Sequence, residues 1–169
     1  MAIWTRAETQ ADAVGAVRPD VCLLIIVALA ASPAWAVSDE QVARAVARMQ
    51  KFLLAAQDPA TGGWEKRYGA NLHHVGGETA LVTLSLLVSG RTPQDPQIEK
   101  ALRWLGQVQM NGTYAVSLRA HCWAVLPDRY LPQLELDAKW LLRAHRRSLF
   151  DYGPQRLTRI DHSVTQYGI

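Results

Sequence analysis

Histidine, cysteine and carboxylate side chains come together at three places in this chain, and each place suggests a different chemistry. His73 and His74 precede Glu78; if a helix already runs there, His74 and Glu78 sit at i and i+4 on one face and could hold a metal ion. The alternative is a polar loop that caps the next helix, with Glu78 in its first turn. His121 and Cys122 are neighbours, and on a helix neighbours point about 100° apart, which makes them poor co-ligands of one ion. Cys122 is then either a small buried apolar side chain or a reactive thiol. Asp161-His162-Ser163 offers one carboxylate without the second whose charge would turn it into an acid. His74, Glu78, His121, Cys122 and Asp161 therefore remain polar-site candidates, and no catalytic residue, metal or cofactor is expected.

Two further patterns have plain structural readings beside their functional ones. Asn111-Gly112-Thr113 spells a glycosylation sequon, although a glycine turn accounts for it equally. Arg143, Arg146 and Arg147 could hold an anion or simply place cations at a helix C-terminus.

The elements that would position these groups begin after residue 36. Arg6 and Arg18 precede an apolar run from Val21 to Ala31, and Ser32-Pro33-Ala34-Trp35-Ala36 follows it. This is the layout of a secretory signal with a small-x-small cleavage site after Ala36. A membrane span needs about 20 apolar residues, so the expectation is a signal peptide over 1–36, an exported (periplasmic or secreted) chain over 37–169, and no stable span after processing. Cys22 leaves with that segment, so the processed chain has no internal disulfide.

Five apolar patterns of helical period follow. Val42, Val46, Met49, Phe52, Leu53 and Ala56 recur at three and four over Asp39 to Gln57, the mark of one apolar face. Gly77 to Val88 is apolar almost all round, as in a helix buried on most sides. Pro96 to Val108 is amphipathic again and starts with proline in its first turn; Val116 to Leu126 is mostly apolar; Leu134 to Arg146 returns to the amphipathic pattern, and a sixth helix starts near Ser163. No alternating run is long enough to suggest a strand.

Amphipathic and apolar helices thus alternate, and the junctions repeat. The first reads Phe52-Leu53, then Gln57, then Gly62-Gly63-Trp64; the second reads Lys100-Ala101, then Trp104-Leu105, then Gln109, then Gly112-Thr113-Tyr114; a decayed third has Trp140-Leu141 and His145. A glutamine ending an outer helix can satisfy free backbone groups where two helices meet, and an aromatic after glycine can pack on its amide. Phe52, Gln57, Gly63, Trp64, Trp104, Gln109, Gly112 and Tyr114 are accordingly expected to be structural. On this reading Gln109→Ala costs about 1 to 3 kcal/mol, whereas Gln97→Ala, outside the motif, costs no more than about 0.5.

These junctions resemble the glutamine-tryptophan repeats of squalene-hopene cyclases, which share an α/α toroid with protein prenyltransferase β-subunits. The resemblance covers about Val42 to Ile169. It implies an all-α fold, a partial toroid of alternating outer and inner helices with about three helix pairs, the last incomplete and the chain truncated or completed by a partner. The family's Asp-x-Asp-Asp acid cluster and its Asp-x-Cys zinc element have no counterpart here. The expectation is a catalytically incomplete repeat protein whose inner-helix surface binds an apolar ligand or a protein partner. The alternative is the N-terminal part of an enzyme acting on an isoprenoid or other apolar lipid.

Composition agrees with a globular core, at 49% apolar and 20% charged among 169 residues. Residues 1–36 carry two basic and three acidic side chains, so the 18 basic and 15 acidic residues of the whole become sixteen and twelve, a formal +4. That excess is dispersed and supplies no nucleic-acid footprint.

Overall fold

The computed structural model describes residues 37–65, 74–146, 149–150, 152–153 and 162–168, and within it the part from Glu40 onward is one compact unit. Among the described residues it is all-α apart from one two-residue strand pair. The helices are α1 (Asp39–Ala55), α2 (Gly77–Val88), α3 (Pro96–Gln107), α4 (Thr113–Ala124), α5 (Leu131–Ala144) and α6 (His162–Gly168), with a 3-10 turn at Asp128–Tyr130. The segment 1–36, with its signal-like apolar run, and Asp161 lie outside the described residues. No helix among the described residues is long and apolar enough to cross a membrane.

Each helix boundary has a local cause. Gly76 is left-handed at φ 87°, a conformation that costs glycine little, and it supplies no side-chain cap to α2. Glu65 reaches back instead, its Oε1 accepting the Thr79 amide at 3.0 Å. At the other end Gly90 (φ 100°) donates to Leu87 O and Arg91 to Leu86 O, the paired bonds of a Schellman stop. Pro96 opens α3 after Asp95.

Helix α3 buries Ile98, Ala101, Leu102 and Leu105, the single stripe that its spacing dictates. These meet Ala80 and Leu86 of α2 and Val116, Cys122 and Trp123 of α4 in the main core. Full burial of Leu86, Ile98 or Leu105 is worth about 1.5 to 3 kcal/mol each. α4 packs against α2, α5 and α6, and α2 against α3. A smaller cluster joins Ala144, Phe150 and Val164.

Two expectations change, and one holds in most of its extent. α5 stops at Ala144, and His145–Arg146 pairs antiparallel with Leu149–Phe150, where continued helix was expected. The pairing lets Phe150 enter the smaller cluster, and two residues are too few to carry a period in sequence. α2 is covered on most sides, as its composition implies: Thr79, Ala80, Thr83 and Leu86 are buried, Val82, Leu84 and Leu87 pack half-buried against the core, and Leu81 and Val88 are left 51% and 68% exposed. In α1 no residue is buried, and Phe52 is 72% exposed, unlike the half-buried Trp104 and Trp140 that it matches in the repeat.

Candidate functional site

The surface left open by the two central helices is an apolar one. On α2, Leu81, Ser85 and Val88 follow one another at helical spacing, the two apolar residues exposed and the serine half-buried. Leu118 and His121 of α4 and Val125 just past its end also follow at helical spacing, Leu118 half-buried and the other two exposed. Val88 and Val125 line one cleft of about 260 Å³, together with Leu87, Arg91, Pro93 and Leu126. The two stripes therefore run into a shared depression. On the α4 stripe the His121 ring is oriented by its own helix: its Nδ1 lies 2.8 Å from the Ser117 carbonyl oxygen, which can only accept, so Nδ1 is the donor.

Behind the stripes the polar groups are consumed in cross-links. Arg119 of α4 donates Nη1 to Leu105 O and Val108 O, both at 3.0 Å, closing the C-terminus of α3 with a cation. Its Nε and Nη2 grip Asp137 of α5 at 2.9 and 2.5 Å, and the Trp123 indole donates to the same carboxylate at 3.0 Å. Asp137 is 2% exposed. Sequence reasoning passed over this triad, although an aspartate amid the apolar period of α5 was the available signal.

Cys122 is buried, and its thiol donates to Ala80 O at 3.1 Å. Burial pushes that thiol up to about 12 from an ordinary 9.0, so it stays protonated and unreactive at neutral pH. His121, about 100° further round the helix, is exposed, and the pair is not brought together. His74 and Glu78 are likewise not joined as an i, i+4 pair, because α2 begins only at Gly77 after the left-handed Gly76. Among the described residues no three of His, Cys, Asp and Glu converge on one point.

The repeat residues divide between the two junctions. At the first, Gln57 donates to Gly62 O and Gln97 O, both at 2.8 Å. Gln97 donates to Leu54 O at 3.1 Å and to Gln57 Oε1 at 3.2 Å, so Gln97 belongs to the junction and is no neutral control. The buried Trp64 takes Thr79 Oγ1 on its amide at 2.9 Å and donates its indole to Leu53 O at 2.7 Å. Gly63 lies between Thr79 and the Trp104 ring, where a Cβ would stand 3.0 Å from Thr79 Oγ1 and 3.6 Å from Trp104 Cδ2.

The second junction departs from the expectation. Gln109 is exposed and makes no hydrogen bond among the described residues; Arg119 satisfies the helix end in its place. Gly112 is extended at φ −120°, which other residues also adopt. Tyr114 turns away to α6, its hydroxyl 2.6 Å from Ser163 Oγ and its ring edge-on to Tyr167 at 4.7 Å. Ser117 completes this seam with a hydrogen bond to Tyr167 O.

No protein-family model, no curated protein and no solved structure matches the chain.

Proposed function

We propose that this chain is a binding or assembly module: an exported repeat scaffold of the α/α-toroid type whose inner helices α2, α4 and α6 present an apolar surface to an apolar ligand or a protein partner. The observation that carries the reading is the exposure of Leu81, Val88 and Val125 on two adjacent central helices. Val88 and Val125 share one cleft, and apolar exposure gathered in one place marks interaction surfaces more often than scattered single residues do. The packing order supports the toroid-like part: α4 touches α2 and α6, as successive inner helices would, while α3 packs on α2 and α5 on α4.

The polar interior supports binding over catalysis. Arg119, Asp137 and Trp123 spend their hydrogen bonds on one another and on helix ends, and the Cys122 thiol is sealed.

The test uses the full chain with Nile red, a neutral apolar dye. Saturable binding is expected, weakened about tenfold or more by Leu81→Asp, the worth of one buried leucine, with an unchanged thermal midpoint. Equal binding by parent and variant would sink the reading. So would cyclisation of squalene or stoichiometric zinc binding by the purified protein.

A further inference from the structure

The cleft where α2 and α4 end differs from the rest of the inner surface in having one charge. Of its lining residues only Arg91 is ionisable, set among Leu87, Val88, Pro93, Val125 and Leu126. Its guanidinium is incompletely used. Nε is buried without a hydrogen-bond partner among the described residues, and Nη1 forms a loose, part-exposed ion pair with Asp95 Oδ2 at 3.6 Å, beyond hydrogen-bond length. Asp95 is itself turned to Thr92, accepting from its amide at 3.3 Å and its hydroxyl at 3.4 Å. The side chain is 37% exposed, so its outer nitrogens, unlike the sealed Nε, can meet an incoming acceptor with the charge-assisted hydrogen bonds that the protein does not supply.

The backbone around the cleft does not oppose an anion as a bare helix C-terminus would. The Ser85, Leu86 and Leu87 carbonyls in the last turn of α2 are already taken by the amides of Ser89, Arg91 and Gly90. Size restricts the occupant further: about 260 Å³ is below the roughly 300 Å³ at which pockets for drug-sized ligands begin. One medium-length chain fits such a space better than a fused-ring skeleton.

We propose that this cleft binds a single-chain carboxylate amphiphile of the fatty-acid type, its carboxylate on Arg91 and its chain between Val88 and Val125. The proposal deepens the inner-surface reading by naming a ligand class, and it rests on that reading only for the exposure of those two valines.

Calorimetric titration of the full chain with decanoate, decanol and decyltrimethylammonium, all below micelle-forming concentration, tests it. Decanoate binds one to one and about tenfold or more tighter than decanol, as one charge-assisted hydrogen bond requires, and the cationic amphiphile binds weakest. Arg91→Gln brings decanoate down to the level of decanol, Arg91→Lys keeps the preference for the anion, and Val88→Asp weakens decanoate and decanol alike. The lysine variant keeps the test alive if the glutamine variant does not fold. Leu81→Asp, outside the cleft, leaves decanoate binding unchanged even where it abolishes dye binding, so this proposal and the broader one fail separately. Equal affinity for decanoate and decanol, or an Arg91→Gln protein that binds decanoate like the parent, overturns the proposal, as does the absence of saturable binding.

Discussion

Arg119 on α4 and Asp137 on α5 form a two-pronged ion pair, Nε to Oδ2 at 2.9 Å and Nη2 to Oδ1 at 2.5 Å, with the carboxylate almost wholly removed from solvent. The same guanidinium closes α3 through Leu105 O and Val108 O. Three helices thus meet on one side chain, and the fork geometry of arginine is what permits it.

Asp137→Ala leaves Arg119 charged and unmatched in a largely buried place and deprives the Trp123 indole of its acceptor. Loss of one partner of a buried pair costs about 3 to 5 kcal/mol. Urea unfolding should show it, and the double variant Arg119→Met with Asp137→Leu should recover only part of the loss, because Leu105 O, Val108 O and the Trp123 indole then have no partner. A single-variant cost under about 1 kcal/mol would mean that the pair is solvated in solution.

The glutamines separate by geometry and not by motif. Gln57→Ala removes bonds to Gly62 O and Gln97 O and should cost about 1 to 2 kcal/mol. Gln97→Ala removes the bond to Leu54 O on a more exposed side chain, for about 0.5 to 1 kcal/mol. Gln109→Ala should stay within about 0.5 kcal/mol, the reverse of the order that the repeat pattern alone implies. Chemical denaturation of the three variants side by side decides between the two orders.

Stability should fall in alkali through Cys122. Its folded thiol titrates near 12 and an ordinary one near 9.0, because burial penalises the thiolate and the Asp137 charge adds to that. Between these values the unfolded state has released the proton and the folded state has not. The contribution is therefore complete below pH 9 and is lost as pH rises toward 12, by roughly 1 kcal/mol per pH unit. The stability difference between the parent and Cys122→Ala, measured at pH 8 and at pH 10.5, should shrink by that slope. A disulfide-exchange reagent should leave the native thiol untouched and react with it in urea.

Two glycines should fail differently when replaced. Gly90 has φ 100° and open space around its Cβ position, so Gly90→Ala carries only the left-handed penalty, about 1 kcal/mol. Gly63→Ala sets a methyl 3.0 Å from Thr79 Oγ1 and strains the bond from the Trp64 amide to that oxygen; about 1 to 3 kcal/mol is expected. Thermal midpoints of the two variants give the comparison.

The sequence by itself determined the helices, since residues three and four apart share a face wherever they occur. It placed α2 at Gly77–Val88 from its apolar run and its flanking glycines, and it marked Gln57 and Trp64 through their spacing alone. Tertiary structure decided which partners those residues meet. Whether Gln109 or Arg119 closes α3 depends on where α4 lies against the helix end, and Arg119 and Asp137 are eighteen positions apart, beyond any periodicity. The exposure of Leu81 and Val88 was equally hidden. An apolar side chain reads the same in sequence whether a neighbouring helix covers it or not, and only packing in three dimensions settles which faces are covered.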